Sequence, residues 1–240
     1  MSKNPPALAS NPYYEGVPDY MTEVYDWAYV DPNWVKALDR NLVVRVLLFL
    51  NDQRLMRRYL AHIQPGHRVW QLAHVYGDLV QRAADKVGPT GEFHLTDVTP
   101  IQIEHGSEKL KQMPWTRVIR SDAAEFAGIA AHDGTNRYDV ICSFFLLHEV
   151  PEQKKREIVD HMLSKLTVGA KAIFVDYHNP KRWQPIRYIL KLVNHYLEPF
   201  ANALWDKEIS SYASHAEQFN WEKETIFGGV YQSVIVTRKP

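Results

Sequence analysis

Residues 69–79 read VWQLAHVYGDL. An apolar pair ends in polar Gln71; three residues later come His74, Val75, Tyr76 and Gly77, and a helical pattern starts at Asp78. Strand, turn and helix in that order form the opening unit of an α/β fold. Working outward, strands are predicted at 68–72, 92–96, 117–120, 138–144 and 170–176. Helices are predicted between them near 78–86, 101–111, 123–131 and 152–166, the alternation expected of a doubly wound parallel sheet. A further helix spans about 185–204, with Ile186, Ile189, Val193, Leu197, Phe200 and Leu204 on its apolar side. Two last strands, 221–227 and 231–238, are joined by Gly228-Gly229, a pair suited to the positive φ angles of a tight hairpin.

Upstream, Val35, Leu38, Leu42, Val46, Phe49 and Gln53 share one helical stripe in a segment that runs to Ile63 and stops at Pro65-Gly66. The first twenty residues hold four of the 14 prolines and read as an extended arm. The expected organisation is therefore an N-terminal arm and helical lid over 1–64, then a ligand-binding domain over 65–240 with a helical insertion at about 180–215.

Composition narrows the function. The 240 residues carry 28 Lys+Arg against 28 Asp+Glu, and zero net charge argues against broad nucleic-acid binding, which needs a basic excess. A single cysteine, Cys142, excludes internal disulfides and suits a reducing cytosol; inside a strand it reads as inert core. The start MSKNPPALASNPYYEG lacks the apolar region of a secretory signal. The longest apolar stretch, residues 42–50, is about half of the ~20 needed to span a bilayer. Localisation is read as cytoplasmic, with peripheral contact to the inner face of the cytoplasmic membrane left open. Glycine is short: 11 Gly match 11 His, where average usage of ~7% predicts roughly 17.

In an open α/β sheet, ligands bind beyond the carboxyl ends of the strands at the topological switch point. The residues leaving each strand are then Gln71 to Gly77, Asp97, Asp122 with Ala123, the run from Ser143 to Glu149, and Asp176 to His178. Asp97 stands about 20 residues beyond Gly77, the separation at which an acid reaches a ribose hydroxyl.

This order resembles the class I S-adenosylmethionine (SAM) methyltransferases, a Rossmann-like doubly wound seven-stranded sheet with an antiparallel C-terminal hairpin and an N-terminal helical lid. The run 69–79, GEFHLTD at 91–97, SDAAEF at 121–126, YDVICSFFLLHEV at 138–150 and LTVGAK at 166–171 resemble the ubiquinone/menaquinone C-methyltransferase family in particular. The likeness covers roughly residues 20–240. It implies SAM contacts by Gln71, His74, Tyr76, Gly77, Asp97, Val98, Asp122, Ala123 and Ser143, with Tyr25 of the Tyr25-Asp26 pair closing over the cofactor.

The departures matter more than the matches. The family's first loop has an acid where Gln71 stands, and small or glycine residues where His74, Val75 and Tyr76 stand; only Gly77 survives. The missing glycines of the composition include these. With the tyrosine-rich run 13–32, the altered loop is similar to the bacterial rhodoquinone biosynthesis family. That resemblance implies conversion of ubiquinone to rhodoquinone, an amino group replacing a ring methoxy group, with SAM as amino donor and Mn2+.

The substitution has a chemical rationale. An acid at position 71 would favour the ammonium form of the SAM amine, which has no lone pair, whereas Gln71 keeps hydrogen bonding without the charge. Manganese takes carboxylate and water oxygens and some imidazole, so Asp78, Asp122, His148, Glu149, Asp176 and His178 are candidates, with Asp176, His148 and Glu149 the expected set. His148, Glu149, His178 and Tyr76 are the expected catalytic residues, the histidines because imidazole titrates near neutrality. Each also has a plainer reading: Asp122 as a helix cap, His74 as a packed strand-end histidine, Tyr25 as aromatic core. The flanking helices over 35–63 and 181–204 either pack on the sheet or rest on a membrane. Two rival functions remain, a quinone or small-molecule methyltransferase and a non-catalytic scaffold subunit of quinone biosynthesis.

Overall fold

The computed structural model describes residues 12–131 and 134–239. Its centre is a seven-stranded sheet in the order β3-β2-β1-β4-β5-β7-β6. The strands are β1 (Arg68–Gln71), β2 (Glu92–Asp97), β3 (Thr116–Arg120), β4 (Tyr138–Phe144), β5 (Leu166–Tyr177), β6 (Phe219–Ile226) and β7 (Tyr231–Arg238). The first five run parallel, and β7 is antiparallel to both β5 and β6. The expected hairpin is present, with Gly228 and Gly229 at φ 64° and 86°. The chain order reverses between β1 and β4, and this opens a crevice at their carboxyl ends.

Helices α5 (Leu79–Val87), α6 (Pro100–Leu110) and α7 (Glu152–Ser164) cover the sheet. Along α5, Leu79, Val80, Ala83, Ala84 and Val87 are buried, a stripe at helical spacing that packs with Val69, Phe93 and Leu95. On the other face, α7 buries Ile158, Val159, Met162 and Leu163 against Trp70, Ile141 and Phe174. Each buried Val, Leu, Ile, Phe or Met side chain among them contributes roughly 1.5–3 kcal/mol. Trp70 donates to the Thr96 hydroxyl at 3.0 Å, and that hydroxyl donates to Leu72 O at 2.8 Å, which ties the ends of β1 and β2 together beside the crevice. Cys142 is buried in β4.

The N-terminal part differs from the sequence reading. The arm proposed for 1–20 lies outside the described residues as far as residue 11. Beyond that the chain is not extended: a 3-10 turn at Pro12–Tyr14 leads into α1 (Asp19–Val24), where Val17, Met21, Tyr25 and Val30 form a small apolar cluster. The single helical segment expected over 35–63 is three helices, α2 (Pro32–Leu38), α3 (Asn41–Leu47) and α4 (Asp52–Leu60). Phe49 and Leu50 break it at φ 48° and 62°. Helix 123–131 is absent as well: Glu125 and Phe126 both donate to Asp122 O, and Gly128 at φ 85° ends the turn. The 185–204 helix is α8 (Ile186–Tyr196) followed by the short α9 (Ala203–Asp206).

Candidate active site

A chamber of about 500 Å³ occupies the crevice. Its floor is formed by the strand ends and the first loop, and its roof by α3, the residues after it, α8 and the tyrosines near α1. Of the residues assigned to SAM from sequence, His74, Tyr76, Asp97, Val98, Asp122 and Ala123 line it. Gln71, Gly77, Ser143 and Tyr25 do not.

Asp97 ends β2 nearly fully buried, and burial raises its pKa against the pull of its hydrogen-bond donors. One carboxylate oxygen accepts from the Thr99 amide and hydroxyl at 2.9 Å, and the other from the His74 amide at 3.0 Å, so the acid holds the first loop in place while facing the chamber. Asp122 accepts from the Ala124 amide at 2.8 Å and pairs with Lys154 at 3.2 Å, capping the turn that replaces the expected helix.

The first loop is built from side chains. Gln102 donates through its amide nitrogen to Tyr29 O at 3.2 Å and to the Tyr76 hydroxyl at 2.9 Å, and Tyr76 in turn donates to Ala28 O. Those donations orient the Gln102 amide, so its oxygen accepts from His74 Nδ1 at 2.7 Å. The His74 Nε2 lone pair is left with no partner. Burial first, and then the nearby Lys109, lower the His74 pKa to about 3, which makes it a neutral imidazole. The Tyr76 and Tyr29 rings stack at 5.7 Å.

Gly77 faces away from the chamber. Its amide donates to Asp39 at 2.8 Å, its carbonyl accepts from Lys109 at 2.7 Å, and a Cβ there would meet Asn41 Oδ1 at 2.9 Å. The close approach that this glycine permits is made by α3. Gln71 is fully buried, donates to Ala73 O at 3.2 Å and keeps an unpaired Oε1, and the Ser143 hydroxyl is also buried without a partner. Tyr25 lies behind the wall between Tyr29 and Phe200, while Tyr20 and Tyr29 face the chamber.

The chamber wall also carries a buried acid–imidazole cluster. Asp176, at the end of β5, accepts from the Leu147 amide at 2.9 Å, the Tyr177 amide at 2.7 Å and His148 Nδ1 at 2.8 Å. His148 Nε2 lies 3.6 Å from Glu149 and 4.0 Å from Glu198. Burial disfavours a charged His148, but Asp176, then Glu198 and Glu149, raise its pKa to about 9. Burial pushes Glu149 up to about 8 against the opposing pull of His148, and it raises Glu198 too. Two carboxyls sharing one imidazole nitrogen cannot both ionise cheaply, so the cluster carries an exchangeable proton near neutrality.

Sequence reading missed Glu198, Tyr29 and Gln102. Glu198 has one signal, as the first acid after an acid-free stretch at 177–197. Lys155 was missed too. It is fully buried, its pKa lowered to about 8 by burial, and it donates to Val150 O at 2.5 Å and Phe200 O at 3.0 Å, pinning the segment that carries Glu198. His178 does not join the site. Its amide donates to Val230 O, its imidazole pKa is lowered by burial and then by Lys223, and it is not among the residues that line the chamber.

Asp97 and Asp122 with Ala123, the residues expected to meet ribose and adenine, all line the chamber. The methionine end would meet the side chains of His74 and Tyr76 rather than bare backbone. Manganese is a different matter. Among the described residues, no group of three His, Cys, Asp or Glu side chains is placed to hold a metal ion. Asp176 lies on the Nδ1 edge of His148 and Glu149 on the Nε2 edge, so the expected set does not converge on one point. Asp78 pairs with Arg82 at 3.8 Å, and neither it nor His178 reaches the chamber.

No family model matches the chain. Curated relatives include the ubiquinone/menaquinone biosynthesis C-methyltransferase UbiE of Ectopseudomonas mendocina, 28% identical over 130 residues, covering 53% of this chain and 49% of the relative. The enzyme of the same description from Shewanella woodyi is 27% identical over 170 residues, covering 70% and 66%. The matched segments thus span about half to two thirds of those relatives' length. Among solved structures, the mitomycin 7-O-methyltransferase MmcR superposes with a TM-score of 0.63 at 14% identity, covering 90% of this chain and 60% of that one. Human N-acetylserotonin methyltransferase in complex with SAM gives 0.60 at 10%, covering 94% and 64%. A SAM-dependent methyltransferase from Aquifex aeolicus gives 0.55 at 18%, covering 87% and 99%. The fold is that of the class I SAM methyltransferases.

Proposed function

We propose that the chain is a SAM-dependent transferase acting on a quinone ring held in the apolar chamber. One observation carries this reading: Asp97, Asp122, His148, Glu149 and Glu198 all line a single chamber with aromatic and aliphatic walls. SAM, when bound, supplies a transferable group. Asp97 and Asp122 hold its nucleoside. Asp176 fixes the His148 ring, and Glu149, kept protonated by burial to about pH 8, donates a hydrogen bond to a quinone oxygen. His148 and Glu198 take up or return the proton that the reaction moves. This division of labour leaves Tyr76 as a wall residue, since its hydroxyl is committed to Ala28 and Gln102.

Two reactions suit this site. Methyl transfer is supported by the relatives, whose descriptions name C-methyltransferases of quinone biosynthesis. Amino-for-methoxy exchange, ubiquinone to rhodoquinone, is favoured by the first loop, where neutral Gln71, buried behind the chamber wall with an unpaired Oε1, stands in place of an acid. The test is turnover of a short-tailed ubiquinone by the purified chain with amine-labelled nitrogen-15 SAM, with and without Mn2+, read by mass. A labelled amino product establishes exchange, and an added methyl establishes methyl transfer. An aminated product without label refutes SAM as donor, and absence of turnover leaves the scaffold reading. Under exchange, Gln71→Asp retains SAM binding and loses amination; unchanged turnover would remove the role given to Gln71.

A further inference from the structure

Helix α8 is built inside out. Toward the protein it buries Leu190 and Asn194, while Tyr188, Leu192 and Tyr196, one turn apart, stand 62–70% exposed on its outer face with Ile189 beside them. Helix α3 repeats the pattern: it buries Val44, and Leu42, Val46 and the following Leu50 are 62–73% exposed. A helix packed only for its own fold turns such side chains inward, and isolated exposed residues need no explanation, but two helices presenting matched apolar stripes do.

The two stripes flank one opening. Val46, Leu47 and Leu197 both line the chamber and are exposed, so the chamber mouth lies between α3 and α8. Trp183, just before α8, is 69% exposed as well. The flanking charge is of one sign. Residues 177–197 contain exposed Lys181, Arg182 and Lys191 and no acid, while Arg187 is turned onto Asn179 and Trp205; residues 40–51 contain Arg40 and Arg45 and no acid, in a chain of zero net charge. Aliphatic residues with tyrosine and tryptophan, bordered by lysine and arginine, match the interfacial layer of an anionic bilayer, where aromatic rings sit at headgroup level and basic side chains meet lipid phosphates. Among the described residues, no helix is long and apolar enough to cross a membrane, so the contact would be in the plane of the surface.

We propose that the α3–α8 face docks on an anionic lipid surface with the chamber mouth opening into the bilayer, so that a lipid-borne substrate enters without crossing water. The inference rests on the proposed function for the nature of that substrate, and the docking itself can be tested without it. The purified full chain is sedimented with sucrose-loaded vesicles of phosphatidylcholine, alone or mixed with phosphatidylglycerol. It pellets with the mixed vesicles, less so as salt is raised. Tyr188→Glu with Leu192→Glu, two exposed positions off the chamber wall, lowers the partition coefficient by about ten-fold or more. Lys181→Glu with Lys191→Glu lowers it on the mixed vesicles only. Circular dichroism of each variant reports that the fold is retained, and turnover of a water-soluble short-tailed quinone stays at the unsubstituted level. Failure of the unsubstituted chain to pellet, or pelleting that ignores both double variants, overturns the proposal. So does a dimer in sedimentation velocity that Tyr188→Glu with Leu192→Glu splits, because the face is then covered by a second copy. Vesicle binding without turnover supports docking and removes the proposed function, while turnover without vesicle binding does the reverse.

Discussion

Asp176→Asn probes the cluster directly. The carboxylate accepts three hydrogen bonds, two from backbone amides and one from His148. An asparagine oxygen can keep two of them, but its NH2 then faces the third donor, and a buried N–H left without an acceptor costs about 2 kcal/mol. A second cost depends on pH. With its aspartate partner, His148 has a pKa of about 9 in the folded chain against 6.5 unfolded. A base whose folded value is the higher contributes stability that is complete below pH 6.5 and is lost as pH rises through about 9. That contribution amounts to roughly 3 kcal/mol. In the variant the largest upward pull is gone and the His148 pKa falls. Urea unfolding should therefore show the variant less stable by roughly 5 kcal/mol at pH 6 and by about 2 kcal/mol at pH 9.5, where His148 is neutral in both proteins. NMR titration of the His148 ring gives the pKa change independently. A stability gap that does not change with pH, or a His148 that still titrates near 9 in the variant, refutes the assigned pairing.

Gly77→Ala places a side chain at φ 83° and 2.9 Å from Asn41 Oδ1, and should cost about 2 kcal/mol, or a fall in Tm of roughly 4–8 °C; an unchanged Tm would show that α3 does not rest on this loop. Glu198→Gln removes one of the acids that raise His148, so the alkaline limb of the pH–rate profile should move to lower pH; a shift in the opposite direction would place Glu198 outside the proton path. Raising the pH from 6.5 to 9 should destabilise the unsubstituted chain overall, since Glu149, held up at about 8 against 4.5 unfolded, also favours folding only while protonated; stability that rises over this range contradicts both assignments.

The parallel core was legible because its signals are local. Each strand is a short apolar run, each covering helix a stripe at helical spacing, and Gly228-Gly229 carries its turn in its own chemistry. The errors came where one part of the chain depends on another. A stripe running through Leu42, Val46 and Phe49 looks like one helix, yet Phe49 and Leu50 adopt positive φ, which nothing in their residue types announces. Residues 123–131 have helical spacing, but Asp122 is drawn into a turn and an ion pair with Lys154. Ile189 was placed on the inward face of its helix and is 55% exposed, because the chamber leaves α8 only a narrow line of contact.

By itself, then, the sequence determined the order of the strands, the strand ends that open on the chamber, and the loss of glycine from the first loop. All of these follow from residue type and spacing along the chain. Folding alone decided that Gly77 serves α3 instead of the chamber, that His178 stays away while Glu198 arrives from a distant helix, and that two helices turn their apolar stripes outward. Those facts depend on distances between residues far apart in the chain, and a buried carboxyl becomes a proton carrier only when packing removes water and sets it beside an imidazole.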